Sequence, residues 1–308
     1  MAMDLERFKT QVGSGLLAFP VTHFRADGSF DEEPYRASIS ANIENGAVAL
    51  FAPGGTGEFF SLTLDECRRV VAAAVAEAKG RVPIIAGAGY GTAMAIEFAR
   101  AAEKVGADGV LLLPQYLLNA EQEGLARHIE AVCRAVGIGV IVYNRDNCLI
   151  GADTLARVAE RCPNLVGFKD GNGDVEQLVR VRQKLGQRLV YVGGMPTAEV
   201  FAVPYFAVGF TTYSSAVFNF IPKTAQRFYK AVRQGDTGTT DELLQKLFLP
   251  YIELRNRRRG YAVSIVKAGL RVVGRSAGQV RPPLIDLTES ETSELKRILV
   301  GALGETLH

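Results

Sequence analysis

The chain has 308 residues, 48% of them hydrophobic and 22% charged, a composition ordinary for a folded soluble protein. Thirty-five basic residues against 33 acidic ones leave a formal net charge of +2, which argues against a dedicated nucleic-acid binder. Four cysteines without CxxC spacing and three dispersed histidines give neither a disulfide framework nor a zinc signature, and no apolar run is long enough for a signal peptide or a membrane span.

Short apolar runs alternate with helical patterns along the chain. The runs are 15–21 (GLLAFPV), 47–53 (AVALFAP), 81–87 (RVPIIAG), 108–114 (DGVLLLP), 138–144 (IGVIVYN), 165–170 (LVGFKD), 188–194 (RLVYVGG) and 208–214 (VGFTTYS). Helices are expected near 32–45, 63–79, 92–105, 119–136, 152–162, 174–185, 196–205 and 221–234. Runs that are apolar at nearly every position read as strands covered on both faces, which means a parallel sheet. Eight such units predict an α/β fold, a closed (β/α)8 TIM barrel over residues 1–234. After a glycine- and threonine-rich break at 233–240, residues 235–308 read as a C-terminal helical appendage of about three helices, over 241–256, 260–274 and 289–303. Thr288 with Glu291 forms a capping-box pattern before the last helix.

A barrel of this kind carries its site at the C-terminal ends of its strands. Lys169 is the only lysine among the residues that end the apolar runs. It either reaches solvent or pairs with Asp170, or it is held in an apolar pocket. In the second case burial lowers its pKa, and the free amine can add to a carbonyl to form a Schiff base. That chemistry needs a proton shuttle, and Tyr143, ending the preceding strand, could supply it. The loop GGTGE (54–58) lacks the GK[ST] ending of a phosphate loop. It still offers glycine N–H groups and the Thr56 hydroxyl to a carboxylate, with Glu58 expected to brace it. GAGYGT (87–92) has the wrong spacing for a dinucleotide fingerprint. The basic cluster RNRRRG (255–260) receives no site.

GGTGE after the second strand, YN after the fifth and GFKD at the sixth, in that order on eight βα units, resemble the dihydrodipicolinate synthase / N-acetylneuraminate lyase family over essentially the whole chain. The resemblance implies Lys169 as Schiff-base lysine and Tyr143 as proton relay. It also implies Gly55 and Thr56 at the contacts to a 2-oxo-acid carboxylate. It implies a homotetramer as well, with an aromatic near Tyr116 reaching a neighbouring site. Two positions depart from the synthase pattern: Gly55 stands where a hydroxyl residue is usual, and Cys148 about where a distal arginine is. YNRDN, PGGTGEFFSL and GFTTYSSAVFNF instead resemble the family's 5-dehydro-4-deoxyglucarate dehydratase branch.

That branch implies dehydration and decarboxylation of a sugar acid to 2,5-dioxopentanoate, carbon dioxide and water. Ser214, Ser215 or Thr212 would lie near the reacting carbons. Asn144 or Asn147 would hold substrate hydroxyls or the distal carboxylate, and Arg145 would neutralise the latter. No metal or other cofactor is expected, nor a nucleic-acid or membrane partner, and the expected compartment is the cytoplasm. A 2-oxo-acid aldolase releasing pyruvate and a catalytically silent small-molecule sensor are the alternatives. The aldolase shares Lys169 and Tyr143; a sensor would be marked by the loss of one of them, and both are present.

Overall fold

The computed structural model describes residues 3–115 and 118–304, and its first element is one that the apolar pattern leaves out. Helix α1 (Leu5–Val12) starts where the Asp4 carboxylate accepts hydrogen bonds from the backbone N–H groups of Glu6 (3.0 Å) and Arg7 (3.1 Å). It buries Phe8 and Val12, one turn apart on one face. The Phe8 ring lies under the starts of two strands at Gly109 and Gly139. A side chain at Gly109 would meet that ring at 2.7 Å, so glycine lets the helix close the bottom of the molecule.

Above it, eight parallel strands close into a barrel in chain order. They are β1 (Leu17–Ala18), β2 (Leu50–Phe51), β3 (Ile84–Ala88), β4 (Gly109–Leu112), β5 (Gly139–Asn144), β6 (Leu165–Asp170), β7 (Val190–Gly193) and β8 (Thr212–Ser215). The last returns to the first with Leu17 opposite Ser214 and Ala18 opposite Ser215. Every residue of β3 to β7 is buried, which is why these segments carry no polar alternation in the sequence.

The covering helices are α2 (Glu32–Glu44), α3 (Leu64–Ala78), α4 (Thr92–Lys104), α5 (Gln122–Ala135), α6 (Ala152–Arg161), α7 (Val175–Leu185), the short α8 (Ala202–Ala207) and α9 (Pro222–Gln234). The expected break at 233–240 is shorter than the sequence suggests. Asp236 accepts from the Thr239 N–H at 3.0 Å and starts α10 (Thr237–Leu243) despite Gly238 within it. A π-helical turn, Leu244–Phe248, joins α10 to α11 (Leu249–Arg255). α12 (Tyr261–Val272) and α13 (Glu289–Leu303) follow. The expected capping box is present at the start of α13, where Thr288 and Glu291 each accept from the other's backbone N–H. Between these two helices the chain crosses back to the barrel, where the Phe24 N–H donates to the Ala277 carbonyl at 3.0 Å. Among the described residues, no helix is long and apolar enough to cross a membrane.

Candidate active site

Register sets the centre of the site. Tyr143 lies directly opposite Lys169 across β5 and β6, and Val192 of β7 lies on the other side of the lysine. Strand alternation then turns Tyr143 and Lys169 to one face and their successors, Asn144 and Asp170, to the other. Lys169 is only 3% exposed and Tyr143 7%. The Lys169 Nζ sits 3.5 Å from the centre of the Tyr143 ring and 5.2 Å from that of Phe19. Both polar ends converge on one acceptor, the Gly194 carbonyl, which receives the Tyr143 hydroxyl at 2.8 Å and the Lys169 Nζ at 3.3 Å.

The lysine does not pair with Asp170. That carboxylate accepts from the N–H groups of Asn172 (3.1 Å) and Gly173 (3.0 Å) and from the Tyr205 hydroxyl (2.8 Å), so it pins the turn after β6. Burial lowers the Lys169 pKa from the ordinary 10.5; the Tyr143 phenol opposes this and the Arg145 charge adds to it. Burial pushes the Tyr143 phenol up, but Lys169 and Arg145 together outweigh it and hold the phenol below 10. Both shifts favour loss of a proton nearer neutrality. The amine and phenol titrate as a coupled pair that can pass a proton between them, as carbinolamine formation and dehydration require.

Arg145 turns inward, its Nη1 donating to the Tyr143 hydroxyl at 3.1 Å, while its Nε meets the exposed Asp146 at 3.1 Å. Asn144 is used elsewhere. Its Oδ1 accepts from the Ile150 N–H (2.9 Å) and its Nδ2 donates to Gln177 of α7 (3.1 Å). Asn147 donates to the carbonyls of Gln115 and Leu118 and ties two loops together. The two serines of β8 point to opposite faces. The Ser215 hydroxyl donates to Glu199 at 2.6 Å and Tyr213 packs on Phe206 and Tyr229 of the helical layer, which leaves Ser214 and Thr212 toward the lumen. The Ser214 hydroxyl donates to the Gly193 carbonyl at 3.3 Å, and Thr212 is spent on the Gly15 carbonyl at 2.5 Å. Tyr116 lies outside the described residues. Among the described residues, no group of three His, Cys, Asp or Glu side chains is placed to hold a metal ion.

The 54–58 loop approaches the lysine across Phe19, whose ring stacks on Phe51 at 4.3 Å and touches the position a Gly54 side chain would take. The N–H groups of Gly57, Glu58 and Phe59 are consumed in the turn. Those of Gly54, Gly55 and Thr56 have no partner among the described residues, and the space beside Gly55 is open. Three successive free N–H groups form a concavity suited to an anion.

The loop is held from behind. Glu58, in the left-handed region at φ 57°, pairs with Lys267 of α12 at 2.7 Å with both side chains fully buried, and also accepts from the Arg281 N–H at 2.8 Å. Removing one partner of such a pair leaves a buried charge uncompensated. Lys267→Met is therefore expected to cost about 3–5 kcal/mol in denaturant unfolding, and the Glu58→Gln/Lys267→Met double variant to recover part of it.

Two glycines belong to the site although their importance is invisible in the sequence. A Cβ on Gly194 would lie 2.5 Å from the Lys169 Nζ, and one on Gly171 would lie 2.6 Å from the Tyr143 ring. The only signal for either was its place in a strand-end glycine cluster.

Residues 13–302 match the family model described as the dihydrodipicolinate synthetase family. A Bradyrhizobium diazoefficiens protein named probable 5-dehydro-4-deoxyglucarate dehydratase is 62% identical over 297 residues, covering 96% of this chain and 95% of its own. A Rhizobium rhizogenes protein of the same name is 61% identical over 300 residues, covering 97% and 99%. Among solved structures, dihydrodipicolinate synthase from Bacillus clausii superposes with a TM-score of 0.86 at 26% identity, over 94% of this chain and 98% of that one.

Proposed function

The chain belongs to the dihydrodipicolinate synthetase family, and from that premise we propose that it is a Schiff-base lyase converting 5-dehydro-4-deoxyglucarate to 2,5-dioxopentanoate, carbon dioxide and water. The observation that carries the chemistry is the buried Lys169 amine, set against the Tyr143 ring and sharing the Gly194 carbonyl with its hydroxyl. Support for the substrate comes from relatives about 60% identical over nearly the full chain that carry the dehydratase name. A homo-oligomer acting on a small molecule is part of the same reading, with the family resemblance as its support.

With the oxo carbon numbered C5, Lys169 adds there, and Tyr143 delivers the proton with which the carbinolamine loses water. The iminium acidifies C4; a proton leaves C4, and the enamine expels the C3 hydroxyl as a second water. Hydrolysis of the iminium later returns the first water, so the net release is one. The unsaturated iminium is now conjugated through C3. It accepts the electron pair of the C1–C2 bond as carbon dioxide departs, and the resulting enol becomes the aldehyde. One proton is consumed overall. The C6 carboxylate, retained in the product, rests on the free N–H groups of Gly54, Gly55 and Thr56. Ser214, on the lumen face, is the hydroxyl best placed to assist at C3 and C4. Asn144 and Ser215 act behind the strands and shape the site instead of touching substrate.

Thr56→Val keeps the shape of the loop and removes a donor. It is expected to raise KM for the 2-oxo acid about tenfold, as loss of a hydrogen bond to a charged group does, with little change in kcat. Steady-state kinetics checks this. The reaction itself is tested with substrate isotopically labelled at C1. One labelled carbon dioxide per 2,5-dioxopentanoate, unchanged by a chelator, is the expected result. Pyruvate formed without labelled gas would move the assignment to an aldolase.

A further inference from the structure

The 255–260 cluster is not uniform. Arg257 meets Glu294 with both guanidinium nitrogens, at 2.7 and 2.5 Å, and Arg258 lies 3.7 Å from Glu291, so these two brace α13. Arg259 is exposed. Arg255, half-buried at the end of α11, meets no carboxylate at ion-pair distance among the described residues. Its guanidinium reaches away from the tail to the loop after β7, where Nη1 donates to the Thr197 hydroxyl at 2.5 Å; Nε and Nη2 donate to the Asn256 side-chain oxygen. Thr197 is buried and held in the left-handed region at φ 52°. It stands three residues beyond Gly194, whose carbonyl holds both Lys169 and Tyr143.

We propose that Arg255, positioned by Thr197 over the mouth of the barrel, is a specificity-determining cation that recognises the carboxylate of the substrate remote from the Schiff base. This rests on the Schiff-base reading above. The substrate is a dianion, and the loop at 54–56 serves only the carboxylate beside the oxo carbon. A second anion site must lie on the same rim. Arg145, on the Tyr143 hydroxyl, supplies one charge there, and Arg255, on the loop after β7, supplies the other. Burial lowers the Arg255 pKa, and the Arg145 charge adds to that effect, so the two guanidiniums sense each other. Arg145 also meets the exposed Asp146 at 3.1 Å, but the acid that opposes Arg255, Glu199, is bonded by Ser215 and pushed up by burial to about 7, which makes it an incomplete counter-charge. A half-buried arginine without a full counter-ion, close enough to a second guanidinium to feel its charge, forms a site for an anionic group, and the planar fork of arginine matches a carboxylate. Fixing that carboxylate also fixes the direction of the C1–C2 bond, which must stand across the plane of the conjugated iminium for its electrons to enter.

The test compares 2-oxoadipate with 2-oxohexanoate, two acids of equal length that differ in the remote carboxylate. Each is trapped on the full-length enzyme with borohydride, and the concentration for half-maximal labelling of Lys169 is read by mass spectrometry. The parent enzyme should prefer 2-oxoadipate. Arg255→Gln, which retains a donor for Thr197, should lose about tenfold or more of that preference with labelling by 2-oxohexanoate unchanged, and Arg255→Lys should keep part of it. If the preference survives in Arg255→Gln, or if both acids weaken equally, Arg255 merely braces the loop and the proposal is overturned. Failure of either acid to label Lys169 in the parent would instead remove the Schiff-base reading beneath it.

Discussion

Lys169→Ala is expected to lose roughly a thousandfold or more of turnover while the barrel stays folded, because Lys169 is the only lysine among the residues that end the strand runs. Loss of activity alone would also follow from misfolding, so a stability readout separates the two. Folding carries the Lys169 amine into a site where its pKa falls below the ordinary 10.5, chiefly through burial. The unfolded chain therefore binds more protons than the folded one between the lowered value and 10.5. The penalty is full below the folded pKa and is relieved as pH rises toward 10.5. Lys169→Met fills the same space without a charge and escapes that penalty. At neutral pH it should be at least as stable as the parent in thermal unfolding, and its stability should rise less steeply with pH across that window. An inactive variant more stable than its parent is the mark of a residue held under strain for chemistry. A strongly destabilised Lys169→Met would show instead that the amine is part of the packing.

Tyr143→Phe should lower kcat by about 10²–10⁴-fold, the range for removing a positioned proton-transfer group, with a modest effect on substrate affinity. The ring that packs under the Lys169 Nζ and over Gly171 is retained. Only the hydroxyl that donates to Gly194 and accepts from Arg145 is lost. A second consequence distinguishes proton transfer from packing. The phenol opposes the lowering of the Lys169 pKa. Without it the amine should titrate at still lower pH, and the midpoint of pyruvate trapping by borohydride should move down. Arg145→Gln should shift that midpoint up, since the guanidinium acts in the opposite sense. An unchanged kcat in Tyr143→Phe would reduce the tyrosine to a wall of the pocket.

The barrel is legible in the sequence because its strands are buried on both faces, so apolar runs mark them without any need for periodicity. Lys169 and Tyr143 are legible for the same reason, as polar residues terminating such runs. What the chain hides is tertiary. α1 is short, and its buried face is two residues that acquire meaning only beneath Gly109 and Gly139. Gly194 matters because Lys169 folds against it from another strand. The orientation of Asn144 could have been read, since it follows Tyr143 directly in a strand and must face the other way. The same alternation separates Ser214 from Ser215. Nothing in the order of letters distinguishes Arg255 from Arg257 or Arg258. Only the carboxylates of α13 beneath two of them, and the Thr197 hydroxyl beneath the third, make the difference.

The covalent bond at Lys169 is the claim on which the chemistry depends, and one measurement reaches it directly. The enzyme is mixed with 5-dehydro-4-deoxyglucarate, quenched with borohydride during turnover, digested and mapped by mass spectrometry. A reduced adduct on Lys169, one per chain at saturation, absent without substrate and absent in Lys169→Ala, is the result expected. Full turnover with Lys169 unmodified, or an adduct confined to another lysine, would contradict it.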